Sequence, residues 1–490
     1  MEPHLKEQTE TSNGTVSISR SSRVAACNDC IPPEILLLIM NELRHSKASL
    51  KEASLVCRAW HGPAQVSLFF RVDIRQLRDC KRILEIFQKS PHLTSHVKRL
   101  VIGGPEEKQS WPCSRASYLQ SKEAMEIASM LGSSVRELGV SVYPLEKNVD
   151  FLKHMRRVQT LRIESYVAER RLDILAELIQ CMRNINTLHL FCPNTVPYRE
   201  EYETGRLELL TATTTTLGGA VSTEPTLDTP PLRLTRLTLF RVEQRFDLLK
   251  FLLDPRYFDL GVLERLDLTW MDVKDQHHIT RLDYTLLDRL FRRVGPSLKG
   301  LSLDFAHSHS ILPDSLPDRY IEHYTMSLMT SPLQCLVTLE SFSVASKGID
   351  PSPYLALLTS VPSLSLTHVQ LQTYIDVNGL FKLGRVLFEE DSAQYWQVID
   401  SLLGDKNRFP VLQSLTITAI LIFLDFIDER NLCLSFATAL GDNEAREMKN
   451  MSTEELFNRT STQIAGLFEM ALVRSKERGL LHVKVEKQVS

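Results

Sequence analysis

Residues 31–70 read IPPEILLLIMNELRHSKASLKEASLVCRAWHGPAQVSLFF. Pro32 and Pro33 suit an extended lead followed by a first helical turn, and the carboxylate of Glu34 suits the positive end of a helix dipole. Ile35 to Met40 then place six apolar residues in a row. A helix that is apolar all round has to be covered from more than one side. The next helix supplies one cover: Leu50, Ala53, Cys57 and Trp60 fall at helical spacing on one face, Leu55 and Val56 lie beside them, and Gly62-Pro63 is expected to stop the run. A unit of about forty residues is below the size at which a lone core is self-sufficient. The second cover is therefore expected to be another protein, and a hairpin packed on the rest of the same chain is the alternative.

Beyond this unit one short pattern, apolar-x-x-Leu-x-apolar, recurs through most of the chain. It occurs as Val97/Leu100/Ile102, Val135/Leu138/Val140, Val158/Leu161/Ile163, Ile185/Leu188/Leu190 and Leu234/Leu237/Leu239. It continues as Leu263/Leu266/Leu268, Leu298/Leu301/Leu303, Leu339/Phe342/Val344, Val361/Leu364/Leu366 and Leu412/Leu415/Ile417, with Leu366/Val369/Leu371 fitting as well for the ninth copy. The last two apolar positions of each copy are two apart, so they point to one side of a strand. Helical stripes lie between copies, among them Leu77/Cys80/Ile83/Leu84/Phe87, Leu172/Leu175/Ala176/Leu178/Ile179 and Leu282/Leu286/Leu287/Leu290/Phe291. This alternation predicts an α/β fold in which a small all-helical unit is followed by an irregular leucine-rich-repeat-like solenoid with a parallel sheet, spanning 71–490. The repeat period is irregular, and a doubly wound α/β domain is the alternative.

Residues 1–30 have little to bury and read as a disordered tail. The Thr-, Gly- and Pro-rich stretch near 194–232 reads as a loop insertion, and 307–318 as a second. Near the end a helix through Ile464, Leu467, Phe468, Ala471 and Leu472 is expected to stop at Gly479, with Leu480, Val483 and Val485 in a closing strand.

The opening unit carries a resemblance. Ile31-Pro32-Pro33-Glu34-Ile35, then Ile39 and Leu43, then Leu55-Val56-Cys57-Arg58-Ala59-Trp60 and Leu68-Phe69, resemble the F-box in its usual order, with Ile31 standing where leucine is commoner. The whole layout is similar to the large fungal F-box family. The resemblance implies a helical hook over 31–70 that binds a Skp-type adaptor and through it a cullin, with Ile31, Pro32, Ile35, Leu36, Ile39, Leu43, Val56, Cys57 and Trp60 at the adaptor. It implies a non-catalytic substrate-recognition subunit of an SCF-type ubiquitin ligase, cytoplasmic or nuclear. A scaffold or regulator that uses the F-box without ubiquitination, and an unrecognised enzyme in the α/β sheet, are the competing readings.

If the repeat leucines face inward, the residues between and beside them form the exposed sheet face, where solenoids bind their ligands. That rule selects Arg99, Arg162, Glu164, His189, Phe191, Arg236, Phe240, Arg265, Asp267 and Asp304 as candidates to hold a protein substrate. Phe191 and Phe240 are the informative pair, since an aromatic on a polar face resembles an interface anchor. Cover by the 194–232 insertion is the alternative for both.

The formal net charge of -3 gives no electrostatic footprint for nucleic acid, and the longest late apolar run, Ala419 to Leu424, is far short of a bilayer span. Nine scattered cysteines show no disulfide-scaffold spacing. Cys27-Asn28-Asp29-Cys30 has the spacing of half a zinc knuckle, with no second pair at a suitable distance, and His277-His278 and His307-Ser308-His309 read as loop residues. No metal and no cofactor is expected. GxSxG, GxxxxGK[ST], HExxH and a strand-helix GxGxxG are all missing.

Overall fold

A computed structural model describes residues 31–103, 117–141, 149–164, 172–191, 230–240, 246–269, 281–305, 333–347, 351–362, 364–375, 390–423 and 451–489. The proposed tail with its Cys27/Cys30 pair, the core of the 194–232 insertion, residues 307–318 and the paired histidines lie outside the described residues. Three helices open the chain: α1 (Pro33–Glu42), α2 (Lys47–Val56) and α3 (Arg58–Phe69). Strands then follow in one sheet: β1 (Arg71–Ile74), β2 (Arg99–Ile102), β3 (Glu137–Val140), β4 (Thr160–Glu164), β5 (Thr187–Phe191) and β6 (Arg236–Phe240). They continue as β7 (Arg265–Thr269), β8 (Gly300–Asp304), β9 (Ser341–Lys347), β10 (His368–Ile375), β11 (Ser414–Phe423) and β12 (Leu481–Val489).

All neighbouring strands of this sheet pair parallel, and their spatial order is their order in the chain. A doubly wound sheet reverses its strand order at a switch point; here the order never reverses. Helices cover one side: α4 (Leu77–Lys89), α5 (Lys122–Leu131), α6 (Val149–Lys153), α7 (Leu172–Cys181), α8 (Phe246–Leu252), α9 (Arg281–Val294), α10 (Ser352–Ser360) and α11 (Glu390–Gly404). The long α12 (Thr453–Ala471) and the short α13 (Val473–Glu477) complete that layer. A two-residue parallel pair, Leu232–Arg233 with Phe258–Asp259, lies outside the main sheet.

The sequence pattern sets this arrangement directly. The three apolar positions of each copy are buried from Val97/Leu100/Ile102 to Leu412/Leu415/Ile417, in one continuous core that runs from Val72 to Leu480. The ninth copy is the exception to the first register. Leu366, Val369 and Leu371 are the buried set, Val369 pairs with Phe342 and Leu415, and Leu364 is 67% exposed. A shift of this kind follows from pairing: the strand takes the register that continues both neighbouring ladders, and the string of Leu residues at 364–371 offered two.

At each turn into a strand one carbonyl accepts two N–H groups of the following repeat. Phe70 O takes Lys98 N and Arg99 N, Lys98 O takes Arg136 N and Glu137 N, and the series continues to Thr367 O, which takes Gln413 N and Ser414 N, all at 2.7–3.1 Å. Gly132 and Gly295 stand where consecutive repeats come closest. A Cβ on Gly295 would meet the Cys335 carbonyl oxygen at 2.5 Å and that of Phe291 at 2.9 Å, so only a residue without a side chain fits.

Two expectations about local structure are corrected. Gly62-Pro63 does not stop a helix: the chain breaks earlier, at Cys57, which is fully extended (φ -164, ψ 171), and Pro63 lies inside α3. Losing the hydrogen bond of one proline is outweighed because α3 buries Ala64 and packs Trp60 and Leu68 on one core and Phe69 on another. Leu77, expected on the buried stripe of α4, is exposed at the first position of that helix, while Cys80, Leu84 and Phe87 are buried.

The closing segment is fastened by a buried carboxylate. Asp400 on α11 accepts hydrogen bonds from Arg474 N (2.8 Å), Ser475 N (2.8 Å) and Ser475 Oγ (2.7 Å), so it satisfies the free N–H groups that begin α13. Gly479, at φ 69, then turns the chain into β12. Asp400→Ala leaves these donors without partners in a buried place, and unfolding by denaturant should show a loss of about 3 kcal/mol. A loss below about 1 kcal/mol, the range of an ordinary surface change, would show that the carboxylate does not hold the closing segment.

Candidate binding surfaces

The first surface is the hook. Its own core is small: Met40, Leu50, Ala53 and Ala64 are buried, with Leu43, Trp60 and Leu68 packed against them. The α1 helix cannot hide its whole apolar circumference in so little space. Leu38 is 59% exposed, Leu55 83% and Val56 63%, and Ile31, Ile35 and Leu37 are exposed as well. Six of the fourteen exposed large apolar residues among the described residues therefore lie between 31 and 56. Burying one such side chain is worth roughly 1.5–3 kcal/mol, and this many exposed apolar side chains in one short segment point to an interaction site.

The residues predicted for the adaptor separate into two groups. Ile31, Pro32, Ile35 and Val56 are exposed, and Ile39 and Cys57 are half-buried. Leu43 and Trp60 are half-buried against the hook's own core. Leu36, expected at the adaptor, is instead buried at 4% exposure, because the helical turn that points Ile35 and Leu38 outward points Leu36 and Met40 inward. Leu55, which belongs to the F-box-like pattern, is exposed as well, and so are Leu37 and Leu38, which the pattern does not single out; the three-residue step from Ile35 to Leu38 is their signal in the sequence.

The hook is joined to the sheet without a linker, since α3 runs from Arg58 to Phe69 and β1 begins at Arg71. Arg44 places its guanidinium 4.0 Å from the centre of the Phe70 ring, and Lys47 reaches Asp73 at 4.0 Å. These contacts fix the direction in which the hook points relative to the first repeat.

The second surface is the side of the sheet away from the helices. Strand register brings Arg162, His189, Thr238 and Asp267 into one row across β4 to β7. Arg162 lies over the Phe191 ring at 4.4 Å, His189 stacks on Phe191 with centroids 6.2 Å apart, and Phe191 meets Phe240 at 5.9 Å. Asp267 accepts from Thr238 Oγ1, Arg236 and Arg265, each at 3.2 Å. Seven of the ten predicted face residues are thus joined by contacts on four adjacent strands.

Asp304 lies one strand further on, half-buried, and its charge falls on Tyr374. Burial, with Asp304 adding to it, pushes the Tyr374 phenol up to about 12. Arg99 pairs instead with Glu137 at 3.8 Å. Glu164 is in register with Phe191, and its side chain lies outside the described residues.

The hydrogen bonds on this face define a tautomer. Thr238 gives its one hydroxyl proton to Asp267, a carboxylate that can only accept, so it meets His189 Nδ1, 2.9 Å away, with a lone pair. Nδ1 therefore carries the imidazole proton and Nε2 is left as an acceptor. Burial first, then the charges of Arg236 and Arg162, hold His189 below its usual value of 6.5, with Asp267 pulling the other way. Cys80, by contrast, is a core thiol: burial pushes it up to about 11, away from nucleophilic use. Among the described residues no group of three His, Cys, Asp or Glu could hold a metal ion, and no helix is long and apolar enough to cross a membrane.

A depressed histidine pKa stabilises the fold fully above the unfolded value and loses that contribution as pH falls toward the folded value. Relative to His189→Gln, the wild-type chain should lose thermal stability as pH drops below 6.5, and the His189 ring resonances should titrate below 6.5. Arg162→Gln should move that midpoint upward. A midpoint at or above the usual value would contradict the half-buried, cation-flanked placement.

The F-box-like family matches residues 29–75 of the chain. No curated protein matches it. The matched segment coincides with the three opening helices and β1, and an F-box-like segment of this kind implies a Skp-type adaptor as partner and suggests the role of an SCF substrate-recognition subunit.

Proposed function

We propose that this protein is the substrate-recognition subunit of an SCF-type cullin-RING ubiquitin ligase. The hook over residues 31–70 seats the Skp-type adaptor and through it the cullin. Residues 71–490 form an irregular leucine-rich-repeat-like solenoid whose exposed sheet face holds a protein target. The chain transfers nothing itself. It acts by proximity, raising the effective concentration of a target lysine near a ubiquitin-conjugating enzyme.

The observation that carries this reading is the exposed apolar surface of Ile35, Leu38, Leu55 and Val56 within the F-box-like match. Six exposed apolar side chains in 26 residues are costly in water, and a partner that covers them removes that cost. Support for the target site comes from the Arg162, Phe191 and Phe240 shelf, where an aromatic pair and a guanidinium stand on an otherwise polar face.

Because Ile35 and Leu38 point outward, Ile35→Asp with Leu38→Asp should leave the circular dichroism spectrum unchanged and reduce co-purification of adaptor and cullin at least about tenfold. Retained co-purification would end the ligase reading. Phe191→Ala with Phe240→Ala should keep the adaptor bound while target ubiquitination in the reconstituted ligase falls, and the target should accumulate in cells carrying that variant. Undiminished ubiquitination would remove this face as the target site.

A further inference from the structure

We propose that the turns leading into β2 to β5 form a second docking edge, one that takes an acidic segment of a partner protein. This inference rests on the charge of that edge and stands apart from the target site on the sheet face.

Residues 91–98, 132–136, 154–159 and 182–186 make these turns. They carry Lys98, Arg136, Arg156, Arg157 and Arg183, three histidines, and no Asp or Glu. The turns that carry them lie side by side. Arg136 N donates to the Lys98 carbonyl at 2.8 Å, Arg136 Nη1 donates to the Arg157 carbonyl at 3.2 Å, and Asn184 Nδ2 donates to the Arg156 carbonyl at 2.9 Å. Adjacent strands are about 4.8 Å apart, so four successive turns concentrate five positive charges within roughly 15 Å.

The same edge is neutralised at the turns into β6, β7 and β8. Lys299, one residue before β8 as Lys98 is one residue before β2, pairs with Glu264 on the neighbouring turn at 2.8 Å. Arg256 pairs with Asp254 at 2.6 Å, and Arg233 with Asp259 at 3.6 Å. Among the described residues none of the five cations at β2 to β5 is in an ion pair, and Lys98 and Arg136 occupy consecutive rungs as like charges. Of these cations Lys98 acts on the nearby imidazole: burial, then His92 and Lys98, hold His96 below its usual value. Repulsion among the five is relieved by an anionic partner.

Three observations select a short acidic protein segment over other anions. The four turns contain no Phe, Trp or Tyr on which a base could stack. The basic edge spans only about 15 Å, roughly the length of four or five extended residues, which suits a short segment better than a long polyanion. No exposed large apolar side chain lies on these turns to enter a lipid surface.

The test uses the full chain and a short fluorescein-labelled peptide of alternating Glu and Ser, read by fluorescence anisotropy. An alternating Gln and Ser peptide, a short single-stranded oligonucleotide and phosphatidylserine vesicles serve as comparison arms. Expected is binding of the Glu peptide alone, weakening as salt rises, and reduced about tenfold or more by Arg156→Glu with Arg157→Glu and Arg183→Glu. If that variant fails to fold, Arg156→Gln with Arg183→Gln should reduce it several-fold. Phe191→Ala with Phe240→Ala should leave it unchanged, which separates this edge from the sheet face. No binding of the Glu peptide, tighter binding of the oligonucleotide or vesicles, or undiminished affinity in the folded Arg variants would overturn the proposal.

Discussion

A peptide carbonyl has two lone pairs, and the architecture depends on using both at every turn into a strand. From Phe70 to Thr367 one carbonyl per repeat accepts the N–H groups of two successive residues of the next repeat. Each such bond contributes about 1 kcal/mol net, and leaving it unmade in a buried place costs more. The ladder also fixes geometry, because both donors are satisfied only when the next strand starts level with the last. That is why strands separated by loops of very different length still align in one parallel sheet with Leu under Leu.

The hook answers to a different constraint. Its helices are too short to enclose what they carry, so the division between inward and outward faces becomes a division of role. Met40 packs in the hook's own core and Leu36 is buried, whereas Ile35 and Leu38 are left for something else to cover. Helix α3 connects the two parts by packing on both cores, with Trp60 and Leu68 toward the hook and Phe69 toward the sheet. An adaptor seated on α1 and α2 would thereby be held in a set relation to the first repeat, which is what delivery by proximity requires.

Charge is distributed unevenly along this frame. On the sheet face, Arg236 and Arg265 are spent on Asp267, and His189 is kept neutral by burial and by the guanidinium groups around it. The aromatic pair Phe191 and Phe240 is the apolar centre of that polar surround. On the adjoining edge the cations of β2 to β5 lack carboxylates within their own turns. A nearly neutral chain thus presents two surfaces of distinct chemistry, one aromatic with paired charges and one basic, and whole-chain net charge conceals both.

Much of this was determined by the sequence. Apolar spacing of two within a strand and three to four within a helix is a local property, and it located nine of the ten strand motifs, the α4 stripe from Cys80 to Phe87, the α9 stripe from Leu286 to Phe291 and the final helix and strand, because burial follows directly from that periodicity. The clustering of Phe191, Phe240, Arg162 and Asp267 was also foreseeable in kind, once a parallel sheet with outward alternate residues was assumed. The tertiary structure decided what local patterns leave degenerate. It chose Leu366/Val369/Leu371 over Val361/Leu364/Leu366, since only the neighbouring ladders distinguish two equally apolar registers. It turned Leu36 inward and Leu38 outward on a helix whose sequence is apolar all round, since only the position of the second and third helices breaks that symmetry. And it carried Pro63 inside α3, because burial against two cores outweighed the one hydrogen bond a proline withholds.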